Sequence, residues 1–354
     1  MSLTLQLADQ SYILYLQNNI LNEKVLFFKS WMTSKYINLL GKKDFDFKSI
    51  LIIKMDEIGD LVTALPVFYN LRALYPTANQ TLVCKSFNNI FFQNLDYVDC
   101  INDFEEVKNK DFDLIIDLRG TEETLNYALS HKPKLRLDRG SIRFKNKFSG
   151  GQKNEIDTNL EVIMPLLQDT ILWSNKIVTG TAQHNKVYQH LELEGISKYV
   201  IMHLGARDEA RRWPMERYAE VIAHINKTYS LPCLLVGGPD DKELNDGCLA
   251  LVQSKANVNV VGEFNLLEYA ALCESATLFV GNESGPLHIA AAQNTPTVAL
   301  FGPGVRDVFY PKNNKSIVHH YFLARGHKQQ NLENSTIFEI NVEEVIKSVD
   351  VLFN

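Results

Sequence analysis

Residues 280–303, VGNESGPLHIAAAQNTPTVALFGP, read as strand, turn, helix, turn, strand with almost no slack. The apolar, partly β-branched run 277–280 that leads in suits a strand buried on both faces of a parallel sheet. Pro286 fits the first position of a helix, where the N–H it lacks would have no partner anyway, and Ser284 stands where a side chain caps such a helix. Gly285 lets another group approach the backbone closely. A helix that begins this way offers N–H groups and a partial positive charge to an anion, typically a phosphate. Alone, the same residues also describe a well-capped core helix, so the reading turns on their neighbours.

Working outward, the same rhythm fills the chain. "SILIIKM" (49–55) is a buried-strand run, followed by "DEIGD" and a helical stretch, "LVTALPVFYNLRALYP"; "QTLVCKS" and "FDLIIDLRG" supply a second and third strand. A second series begins at "KYVIMHLGA" (198–206) and runs through "LPCLLVGGPDDKEL", "VNVVGEF", "TLFVGNESG" and "TVALFGPG", about five strands alternating with helices. Residues 154–197 form a mixed connection between the halves. The expected architecture is α/β, two doubly wound parallel sheets, with domains at 49–172 and 173–354 behind a helical extension at 1–48. Ligands of such sheets bind beyond the carboxyl ends of the strands. The turns "DEIGD", "HLGARDEARR", "GGPDDKE" and "GNESGP" all fall there, and two such sheets facing each other make a cleft.

The composition narrows the class. A chain of 354 residues exceeds one ordinary core and suffices for two domains. A net charge of −6 argues against a general nucleic-acid binder. Five cysteines without C-x-x-C spacing suit reduced thiols better than a disulfide framework or a zinc site. With no apolar run of membrane-spanning length and no signal peptide, a cytoplasmic protein is expected. In the extension, Leu21, Val25, Phe28, Met32, Tyr36 and Leu39 recur at helical spacing, beside lysines at 24, 29, 35, 42 and 43. That pattern fits peripheral association with an inner membrane face, and equally a helix packed on its own domain or a second subunit.

Several residues can carry chemistry. Asp60 follows Gly59 at a strand-to-helix turn; it reads as an N-cap, or as a base held ionised by its position, with Asp56 and Glu57 as close rivals. Arg211 and Arg212 precede Trp213-Pro214, so two cations stand before a helix N-terminus, a conflict that a bound diphosphate would relieve. Glu243 could accept hydrogen bonds from a ribose or be a plain first-turn acid. His288 lies one turn inside the helix of the opening stretch, where a satisfied core histidine is the ordinary reading. Residues 132–153 hold eight Lys or Arg and one acid, a solvated face or a receptor for an acidic acceptor.

Together, "ILIIKMDEIGDLVTALPVFYNLRALYP", "GARDEARRWPMERYAEV", "LLVGGPDDKE" and "LFVGNESGPLHIAAAQNTPTVALFGP" follow in order and spacing the pattern of glycosyltransferase family nine, and residues 49–310 resemble its ADP-heptose:lipopolysaccharide heptosyltransferases. The resemblance implies a GT-B fold with the nucleotide-sugar donor on the C-terminal domain, an anionic glycan or glycolipid acceptor, and inversion at the sugar without metal or other cofactor. It places Asp60 on the catalytic base, Arg211 on a phosphate-binding lysine, Glu243 near a ribose-binding acid and Phe264 beside the adenine. Glu283, Ser284, Gly285 and His288 fall on the donor-binding signature, with Glu283 in place of an aspartate. "DLRGTEET" (117–124) carries Glu123 where the resemblance expects a lysine on the acceptor side; Arg119, Arg136 and Arg139 are the cations assigned to the acceptor instead. A transferase of another sugar, a GT-B-fold epimerase and a non-catalytic sugar-nucleotide binding module stay open as alternatives.

Overall fold

The computed structural model describes residues 45–354, apart from 108, 132, 143–152, 168–169, 253, 255, 304–305, 314 and 322–334, together with Val25, Phe28 and Met32. Those three are helical and each about half exposed; the rest of the pattern read over residues 8–43 lies outside the described residues. Contacts divide the chain into two units. One contains the described residues through Asp56, then Pro66–Asn89 and Asp96–Trp173; the other contains Glu57–Leu65, Ile90–Leu95 and Ser174–Asn354.

The first unit is a five-stranded parallel sheet of β1 (Ser49–Ile53), β2 (Asn79–Val83), β3 (Val98–Ile101), β4 (Leu114–Asp117) and β5 (Leu135–Asp138). Its order is β3-β2-β1-β4-β5, so the winding reverses between β1 and β4. β1 and β4 are buried almost throughout, as central parallel strands must be. Leu51, Ile53, Val83, Ile101, Val107 and Ile115 make a core cluster here. The helical stretch after β1 is two pieces, Ile58–Val62 and Leu65–Leu74. Pro66 explains the restart: it has no N–H to give, which costs nothing at the front of a new helix.

The second unit is a six-stranded parallel sheet of β6 (Val200–His203), β7 (Cys233–Val236), β8 (Val258–Asn259), β9 (Leu278–Asn282), β10 (Thr297–Phe301) and β11 (Ser316–His320). The order is β11-β10-β9-β6-β7-β8. The chain steps outward from β6 to β8, then returns to the other side of β6 as β9, which puts a crevice at the carboxyl ends of β6 and β9. Helix Met215–Tyr229 turns Tyr218, Val221, Ile222 and Ile225 inward at intervals of three and four, into a cluster with Met202, Leu235, Val280 and Leu300. Each such fully buried aliphatic side chain contributes about 1.5–3 kcal/mol relative to exposure. Among the described residues no helix is long and apolar enough to cross a membrane.

Candidate active site

The crevice at the carboxyl ends of β6 and β9 holds a cavity of about 1260 Å³, ample for a sugar nucleotide, and every lining residue belongs to the second unit. Five stretches close around it: the turn from Glu57 to Asp60, the loop after β6, the turn after β7, the segment from Val260 to Leu266, and the entry to helix Gly285–Ala292. Asp60, Arg211, Phe264, Glu283, Ser284, Gly285 and His288 all line it. These seven of the sequence-derived site residues are brought together.

The helix entry departs from expectation in one respect. Ser284 is the N-cap residue, with extended backbone (φ −164°, ψ 174°), but its side chain makes no cap hydrogen bond. Its hydroxyl lies 3.1 Å from the Asn282 carbonyl and 3.2 Å from His203 Nδ1. The hydroxyl has one proton to give, so it serves that carbonyl or the imidazole according to the ring's tautomer. Burial pushes His203 down to about 4, with Arg212 acting the same way and Asp241 opposing, so the ring is neutral at physiological pH. The one side chain able to cap the helix is thus turned into the protein, and the helix end faces the cavity.

Asn282 fixes this arrangement. Fully buried, its Oδ1 accepts from Trp213 N–H at 3.1 Å and Tyr218 O–H at 2.9 Å, while its Nδ2 donates to the Leu204 carbonyl at 2.7 Å. The loop carrying the arginines is thereby tied to the end of β9, next to Glu283. Arg211 closes a 3₁₀ turn, Glu209–Arg211, capped by Asp208 through Ala210 N–H at 3.0 Å. Its guanidinium donates to Glu283 Oε2 at 2.8 Å, with the arginine side chain 39% and the glutamate 7% exposed. Arg211 Nε is buried and has no hydrogen-bond partner in the structure. Arg212 instead gives Nε to the Ala206 carbonyl at 2.9 Å.

Asp60 is the third residue of helix Ile58–Val62, whose N-cap position is Glu57, so it sits in the first turn and is not the cap. Of its rivals, Asp56 is held by Lys54 at 3.1 Å and Arg119 at 2.9 Å, and Glu57 by Arg207 at 3.1 Å. The turn bearing Asp60 packs on helix Gly285–Ala292 through glycines. A Cβ on Gly59 would come within 2.5 Å of His288 Cδ2, and one on Gly285 within 3.3 Å of Ile58 Cβ. His288 therefore faces the turn that carries Asp60 from inside the second unit.

Phe264 meets the His190 ring edge-on at 5.0 Å, and Tyr269 O–H donates to the Pro286 carbonyl at 3.2 Å. Glu243 is exposed on helix Lys242–Val252 and does not line the cavity; Asp240 and Asp241 do. The 3₁₀ turn Pro239–Asp241 turns Asp241 back, where its carboxylate accepts from Gly238 N–H at 2.9 Å and lies 3.9 Å from His203 Nε2. Sequence reasoning passed over Asp241, as it did His203 and Asn282. Only the run of polar residues at strand ends could have flagged them.

The arginines assigned to the acceptor are occupied within the first unit. Arg119 donates to Asp56 and to the Met55 carbonyl, Arg139 clasps Glu155 with both arms (Nη2–Oε2 2.7 Å), and Arg136 Nε lies 3.3 Å from Asp138. Glu155 also lies 3.5 Å from buried Lys54. Burial alone would raise the Glu155 carboxyl; Arg139 and Lys54 reverse this and hold it below the usual range. Each of these arginines thus meets an acid of its own unit, Asp138 only two positions from Arg136, Asp56 and Glu155 farther along the sequence from Arg119 and Arg139. Glu123 is exposed in the first turn of helix Glu122–Ser130. Among the described residues no group of three or more His, Cys, Asp or Glu side chains could hold a metal ion.

Comparison with known proteins agrees with this geometry. Residues 103–337 match the model of glycosyltransferase family 9 (heptosyltransferase). The chain is 26% identical over 300 residues to lipopolysaccharide heptosyltransferase 3 of Escherichia coli, covering 73% of this chain and 85% of the relative. Its fold is shared with a family 9 glycosyl transferase from Veillonella parvula (TM-score 0.72, 21% identity, 88% of this chain and 98% of the other). It is shared equally with E. coli ADP-heptose lps heptosyltransferase II (TM-score 0.70, 21% identity, 86% and 98%). The fold class is GT-B, with two Rossmann-like sheets. The chain belongs to glycosyltransferase family 9, the heptosyltransferases, and is a glycosyltransferase.

Proposed function

We propose that the protein transfers heptose from ADP-heptose to a sugar hydroxyl of a lipopolysaccharide core or a related anionic cell-surface glycan, on the cytoplasmic side of the membrane. The names of the relatives support both substrates: one is named for ADP-heptose and another for lipopolysaccharide. The observation that carries the reading is the uncapped helix Gly285–Ala292 opening, with Arg211 beside it, into the same cavity as Asp60.

In this reading the diphosphate lies at the helix entry, on Arg211 and the backbone N–H groups of the first turn. Phe264 flanks the base, while Asp241 takes the ribose role that exposed Glu243 is badly placed for. His288 holds the sugar nucleotide from the inner side. Asp60 takes the proton of the acceptor hydroxyl as that oxygen attacks the anomeric carbon. The C–O bond to the diphosphate breaks on the opposite face, so the sugar is inverted, and ADP leaves. Negative charge grows on the departing phosphate, where Arg211 and the helix end stabilise it more than in the ground state. No resident metal is needed for this, the cationic role being given to arginine and a helix dipole.

The test is release of ADP from ADP-heptose in the presence of heptose-deficient lipopolysaccharide, beside UDP-glucose and ADP-glucose as rival donors. Transfer from ADP-heptose alone, with an inverted anomer by NMR and a rate unchanged by chelator, is expected. Equal use of another donor, a remodelled donor without acceptor, or a magnesium-restored rate would overturn the corresponding part.

A further inference from the structure

The closest charged neighbour of the proposed phosphate seat is one of the protein's own carboxylates. Glu283 Oε2 stands 2.8 Å from Arg211. The two partners are unequally fixed. Glu283 is 6% exposed and rigidly placed, its N–H donating to the Leu300 carbonyl at 2.9 Å where β9 meets β10. Arg211 ends a three-residue 3₁₀ turn and keeps 39% of its side chain in solvent. The carboxylate also precedes the start of helix Gly285–Ala292 by two residues, where a helix end favours negative charge. Glu283 therefore satisfies, from inside the protein, the arginine that an entering phosphate would use.

Resting on the reading of Arg211 as the diphosphate seat, we infer that Glu283 is a built-in competitor for that seat, one that an entering diphosphate must displace from Arg211. Paired with Glu283, the guanidinium is neutralised. A ligand gains Arg211 only by bringing more negative charge, or better geometry, than a single carboxylate offers, which a diphosphate ester does with its several oxygens. The donor's affinity is then the difference between two ion pairs, and Glu283 sets the specificity of the seat for strongly anionic ligands. The arrangement also favours departure of ADP, because the carboxylate is on hand to retake the arginine.

This inverts the usual expectation for removing a cavity side chain. Calorimetric titration with ADP, on the full-length wild type, Glu283→Gln, Arg211→Ala and the double variant, decides it. Glu283→Gln should bind ADP roughly three- to ten-fold more tightly than wild type, the scale of a partly exposed ion pair. The gain should vanish in the Arg211→Ala background, and Glu283→Asp, whose shorter carboxylate reaches Arg211 less well, should fall between. A loosened or damaged site binds more weakly, so the sign alone separates competition from a structural role. Equal or weaker binding by Glu283→Gln, with Arg211→Ala still impaired, overturns the inference and leaves the seat standing. Wild-type affinity in Arg211→Ala removes the seat itself and the inference with it. Glu283→Asp supplies the same comparison should the glutamine variant fail to fold.

Discussion

At the carboxyl end of β1, Lys54 is 1% exposed and lies 3.1 Å from Asp56 and 3.5 Å from Glu155, and each acid takes an arginine as well, Arg119 and Arg139. At the carboxyl ends of β6 and β9, the cap residue of the following helix is turned away and a part-exposed arginine faces a cavity. Both places are the point where a doubly wound sheet reverses its strand order. Topology therefore makes a crevice available and does not decide its use. In the first unit cations and acids close on one another; in the second, Arg211 meets Glu283 but keeps 39% of its side chain exposed, and the entry of helix Gly285–Ala292 is left toward the cavity. Two predictions test opposite sides of this contrast at full strength.

The largest effect belongs to Asp60→Asn. The amide keeps the shape of the turn but cannot take a proton, so turnover should fall by about 10² to 10⁴ with ADP affinity within a few-fold of wild type. Near-normal turnover would shift the base to another group. In the first unit, Glu155→Ala leaves Lys54 and Arg139 without their shared acid. Breaking a buried pair of this kind costs about 3–5 kcal/mol. Urea unfolding should show that loss while calorimetry on the folded variant gives unchanged ADP affinity; a loss of ADP binding without loss of stability would blur the contrast.

A smaller effect is set by pH. Asp117, register partner of Asp138 across β4 and β5, is pushed up to about 6, chiefly by burial and further by Asp138, against hydrogen bonds from Gly120, Thr124 and Arg119. The folded carboxyl thus keeps its proton to higher pH than the unfolded one, and its contribution to stability is fuller in acid and falls as pH rises through about 6. From this group alone, wild type should be about 1 kcal/mol more stable at pH 5 than at pH 8, a slope that Asp117→Asn abolishes. Parallel profiles for the two proteins would show that Asp117 is not the source. The smallest effect is Glu243→Ala, exposed and off the cavity, which should leave ADP affinity unchanged, whereas Asp241→Ala should weaken it.

The two regions also differed in how far the sequence announced them. β9, β10 and the helix between them were legible because long apolar runs are punctuated by glycine and proline. β3 and β5 were not, being four residues each and carrying Asp99, Arg136 and Asp138 in place of an unbroken apolar run. The site was read in its residues more than in its contacts. Ser284 was recognisable at a helix start, but the partner that draws its hydroxyl away, His203, is 81 positions distant. Likewise Arg211 and Glu283 are 72 apart, and Arg119 and Asp56 are 63 apart. No local pattern marks such pairs; only the folded sheet brings them together. Asp241 lines the cavity where Glu243 does not because a single 3₁₀ turn shifts which acid faces inward.

One measurement bears most directly on the contrast: calorimetric titration of ADP into wild type, Arg211→Ala and Arg139→Ala at low salt. Both substitutions remove an arginine paired to a buried glutamate at the carboxyl end of a doubly wound sheet. If the second sheet holds the donor, Arg211→Ala weakens ADP about ten-fold or more, while Arg139→Ala binds as wild type does. Wild-type affinity in Arg211→Ala, or an equal loss in Arg139→Ala, would contradict the account.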